Sequence, residues 1–170
     1  MAERKDNPRR IVPPSVAHDQ QVNLVMPDIT TTVPGDLEAD VDEAVVCIAK
    51  KAGRVKDVTI AVQSCGKDDD TPLTTKVDVF INGVTCLTVP PTITHISGEA
   101  DDTMRSSMVS GEGNEKAIID PDANSFARGD LITYEVDVTL TGTPAGYMNG
   151  LGVLIEVDPY LPRGNEETVT

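Results

Sequence analysis

The side chains that could carry out catalysis do not occur at spacings typical of an active site. A Ser-His-Asp or Cys-His arrangement needs a histidine that accepts the proton of the nucleophile. The chain has two histidines. His18 lies in a polar, proline-containing stretch, and His95 sits in the alternation Thr-Ile-Thr-His-Ile, which is typical of the polar face of a strand. The sequence therefore predicts no triad, and the scarcity of suitably spaced ligands also argues against a His/Cys metal site.

Two acidic stretches carry the hard oxygen ligands that calcium prefers. These are Asp68-Asp69-Asp70 and the segment Asp120–Asn124, which has oxygen-bearing side chains at alternate positions. The second begins like an EF-hand loop, but Ser125 stands where glycine belongs and Leu131 where the bidentate glutamate belongs. Solvated acidic turns are the favoured interpretation of both stretches, and we predict no metal site.

Two further signals for function are weak. The tripeptide Arg128-Gly129-Asp130 matches an integrin-type adhesion motif, but Gly-Asp directly before a strand is ordinary turn chemistry. Paired carboxylates for glycoside hydrolysis stay open, although aromatics make up only 3% of the chain and leave no evident platform for stacking sugars. We therefore predict no catalytic residues, no cofactor and no enzymatic activity.

The distribution of charge separates an N-terminal segment from the rest. The net charge of −14 argues against a nucleic-acid partner, because phosphate binding needs a basic surface. Residues 1–10 nevertheless carry +2, whereas the remaining 160 residues carry −16. Residues 1–20 show no periodicity and are predicted to be an extended arm, with a solvated tail as the alternative. A basic arm suits an acidic docking surface, and its candidate contact residues are Arg4, Lys5, Arg9, Arg10, Ile11 and Val12.

The cysteines and the apolar segments bear on the compartment. Cys47, Cys65 and Cys86 are an odd number without CxxC spacing, so we predict free thiols and synthesis in a reducing compartment. The N-terminus lacks the apolar region of an export signal, and no stretch approaches the roughly 20 apolar residues of a membrane span. We predict no membrane partner.

The clearest local pattern is a β-hairpin over residues 76–89. Asn82-Gly83 is the preferred pair for a two-residue type I′ turn, which needs a positive φ at both positions. This turn predicts three cross-strand pairs, which are Ile81 with Val84, Val79 with Cys86, and Val77 with Thr88. A lone hairpin is marginal in water, so a second sheet or further strands must cover its apolar side.

About eight short strands are expected along the chain. Residues 40–53 are ambiguous between helix and strand, and a strand over Ala44–Ala49 is favoured by the β-branched run. Residues 54–63 alternate with a phase shift at Lys56-Asp57 that a bulge could absorb. The predicted fold is an all-β, two-layer sandwich of jelly-roll type over residues 21–158, between the arm (1–20) and a polar tail (159–170). The strongest alternating runs predict a core of Val58, Ile60, Val77, Val79, Ile81, Val136, Val138, Val153 and Ile155.

Four segments, in this order, carry a family resemblance. They are AVVCIAKKAGRVKDVTIAVQS (44–64), the hairpin KVDVFINGVTCLTVP (76–90), ARGDLITYEVDV (127–138) and GLGVLIEVDP (150–159). The series resembles small β-sandwich proteins of tailed-bacteriophage virions, in particular capsid decoration or cement proteins. The similarity covers about residues 44–158 and consists of strand patterns and turns.

The resemblance implies a function for the chain. It implies a homotrimer on the outer capsid surface that binds the major capsid protein, stabilises the shell and is made in the host cytoplasm. The arm residues from Arg4 to Val12 would then be capsid-binding. A carbohydrate- or host-receptor-binding module of a phage fibre or tail is the alternative, and a small all-β hydrolase or lyase is the least favoured class.

Overall fold

The computed structural model describes residues 28–67 and 73–159, and these residues form strands and loops without a helix. The all-β prediction is confirmed. The predicted arm (1–20), residues 21–27, Asp68-Asp69-Asp70 and residues 160–170 lie outside the described residues. The strands are β1 (Ile29–Asp36), β2 (Val41–Ile48), β3 (Gly53–Val62), β4 (Thr74–Ile81), β5 (Val84–Thr85), β6 (Leu87–Val89), β7 (Thr92–Thr94), β8 (Arg105–Ser106), β9 (Asn114–Glu115), β10 (Ile118–Ile119), β11 (Ser125–Phe126), β12 (Leu131–Thr139) and β13 (Asn149–Pro159).

The long strands are divided between two antiparallel sheets. The first sheet has the order β1-β13-β3-β11, with β8 also paired to β3. The second has the order β2-β12-β4-β7-β9, with β5 also paired to β4. The short strands β6 and β10 pair with each other outside both sheets. Consecutive long strands β1, β2, β3 and β4 therefore alternate between the two layers.

This order identifies the jelly roll. The strands β8 and β11 pair with opposite ends of β3, so together they occupy the place of one interrupted strand. Counted in this way, eight strands lie in the spatial orders 1-8-3-6 and 2-7-4-5, which is the order of a jelly roll. The predicted sandwich and its predicted topology are both confirmed.

The two predictions for β2 and β3 are also confirmed in their main points. Residues 41–48 form a strand, which is longer at its start than the predicted Ala44–Ala49. In β3 the register against β13 shifts between Asp57 and Val55, which leaves Lys56 as the extra residue. This bulge keeps Val55, Val58 and Ile60 all buried despite the phase shift in the sequence.

The hairpin is correct at its turn and wrong beyond it. Asn82 has φ of 52° and Gly83 has φ of 79°, and Ile81 pairs with Val84 as predicted. The amide of Cys86 still donates to Val79 O (2.9 Å). The predicted pair of Val77 with Thr88 is wrong, because the chain leaves β4 there. It forms β6 against β10 and returns as β7, where Thr92 pairs with Lys76.

The core fills the space between the two sheets. Of the nine predicted core residues, eight are buried, and Val138 is partly buried against the same cluster. The scarce aromatics contribute Phe126 and Tyr134, so aliphatic side chains make up most of the core. The thiols of Cys47, Cys65 and Cys86 are free. Among the residues that the structure describes, no helix is long and apolar enough to cross a membrane.

The edge of β3 is protected although its partner strand is interrupted. The amide of Val55 donates to Asn124 O (2.8 Å), and the amide of Ile60 donates to Ser107 Oγ (3.0 Å). Between them the amide of Val58 donates to the carboxylate of Asp57 (2.9 Å). Side chains and loop carbonyls thus accept the bonds that a continuous strand would accept.

Candidate interaction surface

Large apolar side chains are exposed on the long loop, residues 95–113, between β7 and β9. Met104 is 78% exposed, Met108 60% and Val109 70%. The sequence over 97–114 is rich in Gly, Ser and Asp, which is typical of an irregular connection, and within the long loop the structure has only the two-residue strand β8. A cluster of exposed apolar side chains is typical of a protein interaction site, and methionine adapts its shape to different partners.

A partly buried ion pair braces the base of the long loop. Glu99 Oε2 pairs with Arg105 Nη2, and these side chains are 10% and 15% exposed. The other oxygen of Glu99 accepts the amide of Ile96 (2.9 Å) and lies 3.2 Å from His95 Nδ1. A charge-assisted pair whose carboxylate has further hydrogen-bond partners is expensive to break, so the pair braces the base of the loop.

His95 corrects one prediction. The alternation had placed it on a polar strand face, but it lies just beyond β7 and is 7% exposed. Its amide donates to Leu73 O (2.9 Å), and its ring meets Glu99. Burial of a histidine beside a carboxylate is a local packing solution that alternation alone does not predict.

Cys65 borders the same ion pair and is fully buried. Burial, followed by the neighbouring Glu99 carboxylate, raises the pKa of this thiol, and the Arg105 guanidinium opposes the shift only in part. The thiol form therefore predominates at neutral pH. Because the thiolate is the nucleophilic form, the Cys65 thiol is not activated by its glutamate and arginine neighbours.

Backbone bonds attach the long loop to both sheets. Ser107 is buried, and its amide donates to Ile60 O (2.9 Å) while its hydroxyl accepts from the amide of Ile60 (3.0 Å). The amide of Thr94 donates to Gly113 O (2.7 Å). Gly113 has φ of +72°, and a Cβ there would lie 2.7 Å from Thr94 O, so only glycine fits at this crossing.

Met104 forms one wall of a shallow apolar trough on the outer face of the first sheet. The floor consists of small residues on adjacent strands, since Gly152 of β13 lies between Thr32 of β1 and Ala61 of β3. The remaining lining residues are Val62, Gln63, Arg105, Ser106 and Gly150. Met104 is therefore exposed beside a trough that crosses β1, β13 and β3.

The candidate calcium segment is an ordinary turn. The amide of Asp122 donates to Asp120 Oδ1 (2.9 Å), and Asn124 Nδ2 donates to Val55 O (3.1 Å). Each of these side chains thus has a local role in the turn or in attaching it to β3. Within residues 28–67 and 73–159, no three His, Cys, Asp or Glu side chains are grouped suitably for a metal ion.

The Arg128-Gly129-Asp130 tripeptide is part of the turn before β12. Hydrogen bonds from the Asn82 side chain and from the amide of Ala127 (2.7 Å) hold the pKa of Asp130 below its ordinary value. The amide of Gly129 donates to Ala49 O (2.8 Å). The carboxylate that an adhesion motif would present is therefore used within the turn.

The sequence predicted contact residues in the arm but not the exposed apolar residues of the long loop. The predicted arm contacts from Arg4 to Val12 lie outside the described residues, so they stay a prediction. The exposed side chains of Met104, Met108 and Val109 were not predicted. Their signal in the sequence is the presence of three large apolar residues in an otherwise Gly-, Ser- and Asp-rich connection.

Comparisons with known proteins add little to this description. No family model and no curated protein matches the chain. Among solved structures, a chain of Desmodium yellow mottle tymovirus aligns over 82% of this chain and 93% of that chain, with 12% identity and a TM-score of 0.30. A likeness at this level carries no argument about function. The jelly-roll assignment depends on the strand order given above.

Proposed function

We propose that this chain is a non-catalytic virion structural protein that decorates the outer surface of a tailed-bacteriophage head and stabilises the shell. The observation that carries the proposal is the exposure of Met104, Met108 and Val109 on a loop whose base is braced by the Glu99–Arg105 ion pair. A rigid apolar surface loses little conformational entropy when it binds a flat protein lattice. The resemblance in strand patterns and turns points to the same role.

The physical basis of shell stabilisation is linkage. A protein that binds the assembled, expanded lattice better than its free subunits shifts the equilibrium toward the assembled shell. In this proposal the major capsid protein is the partner, and three copies of the chain form a homotrimer. Attachment of three copies at once raises the effective concentration of each further contact.

The basic arm is proposed as a second contact with the capsid. Its residues Arg4, Lys5, Arg9 and Arg10 supply positive charge, and Ile11 and Val12 supply apolar surface. Each exposed ionic contact is worth only about 0–1 kcal/mol, so the long loop supplies most of the affinity and the arm adds to it.

Co-sedimentation with phage heads tests the proposal. Purified chain should pellet with expanded heads of the phage that encodes it and stay in the supernatant with immature heads. The triple variant Met104→Ser, Met108→Ser, Val109→Ser should lose most of this binding. The control is Val84→Ser, since Val84 is an exposed aliphatic residue on the β4–β5 hairpin.

Two results would contradict the proposal. Equal binding by the triple variant and the control would remove the long loop from the interface. Selective binding to a glycan array, with no binding to heads, would favour the carbohydrate- or receptor-binding alternative.

A further inference from the structure

The outer face of the second sheet is apolar at the end where β2 finishes. Val45 is 64% exposed and Ile48 is 63% exposed. They pair with Thr133 and Leu131 of β12, and Phe80 of β4 pairs with Thr133 from the other side. Because Ile132 and its alternate neighbours point into the core, these residues lie on the outer face, although Thr133 is itself only 2% exposed. We call Val45, Ile48, Phe80, Leu131 and Thr133 the β2 face.

A row of carboxylates borders the β2 face. Glu43 accepts a hydrogen bond from the Thr133 hydroxyl (2.5 Å), and Glu135 lies opposite Asp78 on the next strand. One step further along the strands, Asp137 forms an ion pair with Lys76. Of the five charged side chains in this row, four are acidic. Negative charge therefore exceeds positive charge locally. Partial burial, and then the carboxylates of Asp137 and Asp78, raise the pKa of Glu135.

We propose that the β2 face binds the segment Arg9-Arg10-Ile11-Val12 of the same chain, and that this contact holds the arm until a capsid binds it. The segment pairs two cations with two β-branched aliphatics, and the surface pairs carboxylates with exposed aliphatics. The release step rests on the function proposed above, whereas the contact in the free protein does not.

The distance between the apolar and the acidic parts of the outer face matches the length of an extended segment. Leu131 and Glu135 are four residues apart on β12, which corresponds to about 13 Å along the strand. The segment from Arg9 to Val12 extends over about 10 Å, and arginine side chains add reach at one end. Val12 can therefore lie near Leu131 while Arg9 lies near Glu135.

The chain is long enough to reach its own β2 face. Residues 13–27 separate the segment from Asp28, where the described residues begin. Fifteen residues extend to about 50 Å at most, whereas two packed sheets are about 10 Å apart. A tether of this length gives an effective concentration in the millimolar range, which favours the chain's own arm over that of another copy.

Photo-crosslinking of the full chain, without capsids, tests the contact. p-Benzoylphenylalanine replaces Ile11, and mass spectrometry locates the adducts after irradiation. The expected adducts lie within one chain, on peptides that contain Val45–Ile48 or Leu131–Glu135, at a yield that does not change on dilution. Glu135→Lys should lower this yield about fivefold, because one favourable charge contact becomes repulsive.

A charge-change control and two contrary outcomes define the crosslinking test. Glu38→Lys, which makes the same charge change at an exposed site between β1 and β2, should leave the yield unchanged. Dimer-sized adducts would make another copy the occupant and overturn the proposal. Adducts spread over the surface, or insensitive to Glu135→Lys, would overturn it as well.

Head binding separates this inference from the proposed function. If both hold, Glu135→Lys frees the arm and binds expanded heads at least as well as the wild-type chain, whereas Arg9→Glu with Arg10→Glu binds less. Intact crosslinks without any head binding would contradict the proposed function and leave the arm contact in place. Normal head binding without the crosslinks would contradict the arm contact and leave the proposed function in place.

Discussion

Glu135 of β12 lies directly opposite Asp78 of β4, so two carboxylates occupy one cross-strand pair on the outer face of the second sheet. Like charges in this position oppose sheet formation, whereas most cross-strand pairs favour it. The arrangement lowers stability in the free protein. A cationic partner that binds here would offset the repulsion between the two carboxylates.

Neutralising Glu135 should stabilise a chain that lacks residues 1–12 at neutral pH, because no arm arginine then offsets the Glu135–Asp78 pair. Partial burial and the carboxylates of Asp137 and Asp78 raise the pKa of Glu135 above its ordinary 4.5. The folded state therefore binds the proton more tightly than the unfolded state, and stability falls as pH rises through the raised pKa. Glu135→Gln should raise the urea midpoint at pH 7 and give no gain below pH 4.5. Glu38→Gln is the control, and an equal gain from it would contradict the pairwise explanation.

Val79→Asp should abolish folding. Val79 is fully buried between the two sheets, and a carboxylate there would have no partner. Because Val79 lies in the middle of β4, an aspartate there cannot turn outward to reach water. The cost of burying its charge then exceeds the roughly 5–15 kcal/mol by which a domain is stable. The control is Val84→Asp on the same hairpin, where the side chain is 59% exposed. Thermal unfolding of both variants, followed by circular dichroism, tests this prediction. A cooperative transition of Val79→Asp at the wild-type temperature would show that Val79 is not in the core.

Arg105→Met should destabilise the protein by about 3 kcal/mol, because it leaves the Glu99 carboxylate buried without its cation. The exposed pair of Arg54 with Asp158 offers a matched comparison, since its side chains are 53% and 46% exposed. Arg54→Met should cost no more than about 1 kcal/mol. Hydrogen exchange should also accelerate at the amides of Thr94 and Cys65, which bond to the long loop. Equal losses from the two variants would show that the buried pair does not fix the loop.

The three thiols should differ in reactivity and should form no disulfide. Burial, followed by the Asp78 carboxylate, raises the pKa of Cys86 to about 12, and burial also raises the pKa of Cys65. Cys47 is only partly buried, so iodoacetamide at pH 8 should modify it first. Mass spectrometry after native and then denaturing alkylation should count three thiols without reduction. A mass that changes only after reduction would reveal a bridge.

Deletion of residues 1–12 should leave thermal unfolding nearly unchanged and weaken attachment to expanded heads. The reason is that the sandwich core lies in the described residues, whereas the arm supplies exposed cationic contacts. Attachment of the full chain should also weaken between low and moderate salt, because screening shortens the reach of these charges. Equal occupancy by both chains at both salt concentrations would confine the interface to the sandwich.

The parts of the fold that were predictable depend on local chemistry. Asn82-Gly83 specified the turn because few other pairs adopt two positive φ values, and the phase shift at Lys56 located the bulge because period-2 alternation has no other way to absorb one residue. The excursion after Cys86 was not predictable, because it depends on a pairing between Val89 and Ile118, which are 29 residues apart.

The candidate surface was less accessible from the sequence. The ion pair beneath it joins Glu99 with Arg105 and borders Cys65, and no periodic pattern relates an irregular loop to a buried thiol 34 residues away. His95 looked like a surface residue because alternation reports direction within a strand, whereas its burial comes from the loop that covers it. Long loops place their side chains by tertiary contacts rather than by propensity.

The interruption between β8 and β11 has a consequence for polymerisation. A sheet edge with a run of unsatisfied amides recruits strands from other molecules and grows into fibres. Here the amide of Val58 already donates to the carboxylate of Asp57, and that carboxylate also binds Lys116 (2.8 Å). An incoming strand would have to displace this cap and break the ion pair to gain its first hydrogen bond in the gap. The first sheet can therefore be crowded at high density on a surface without extending along this edge into filaments.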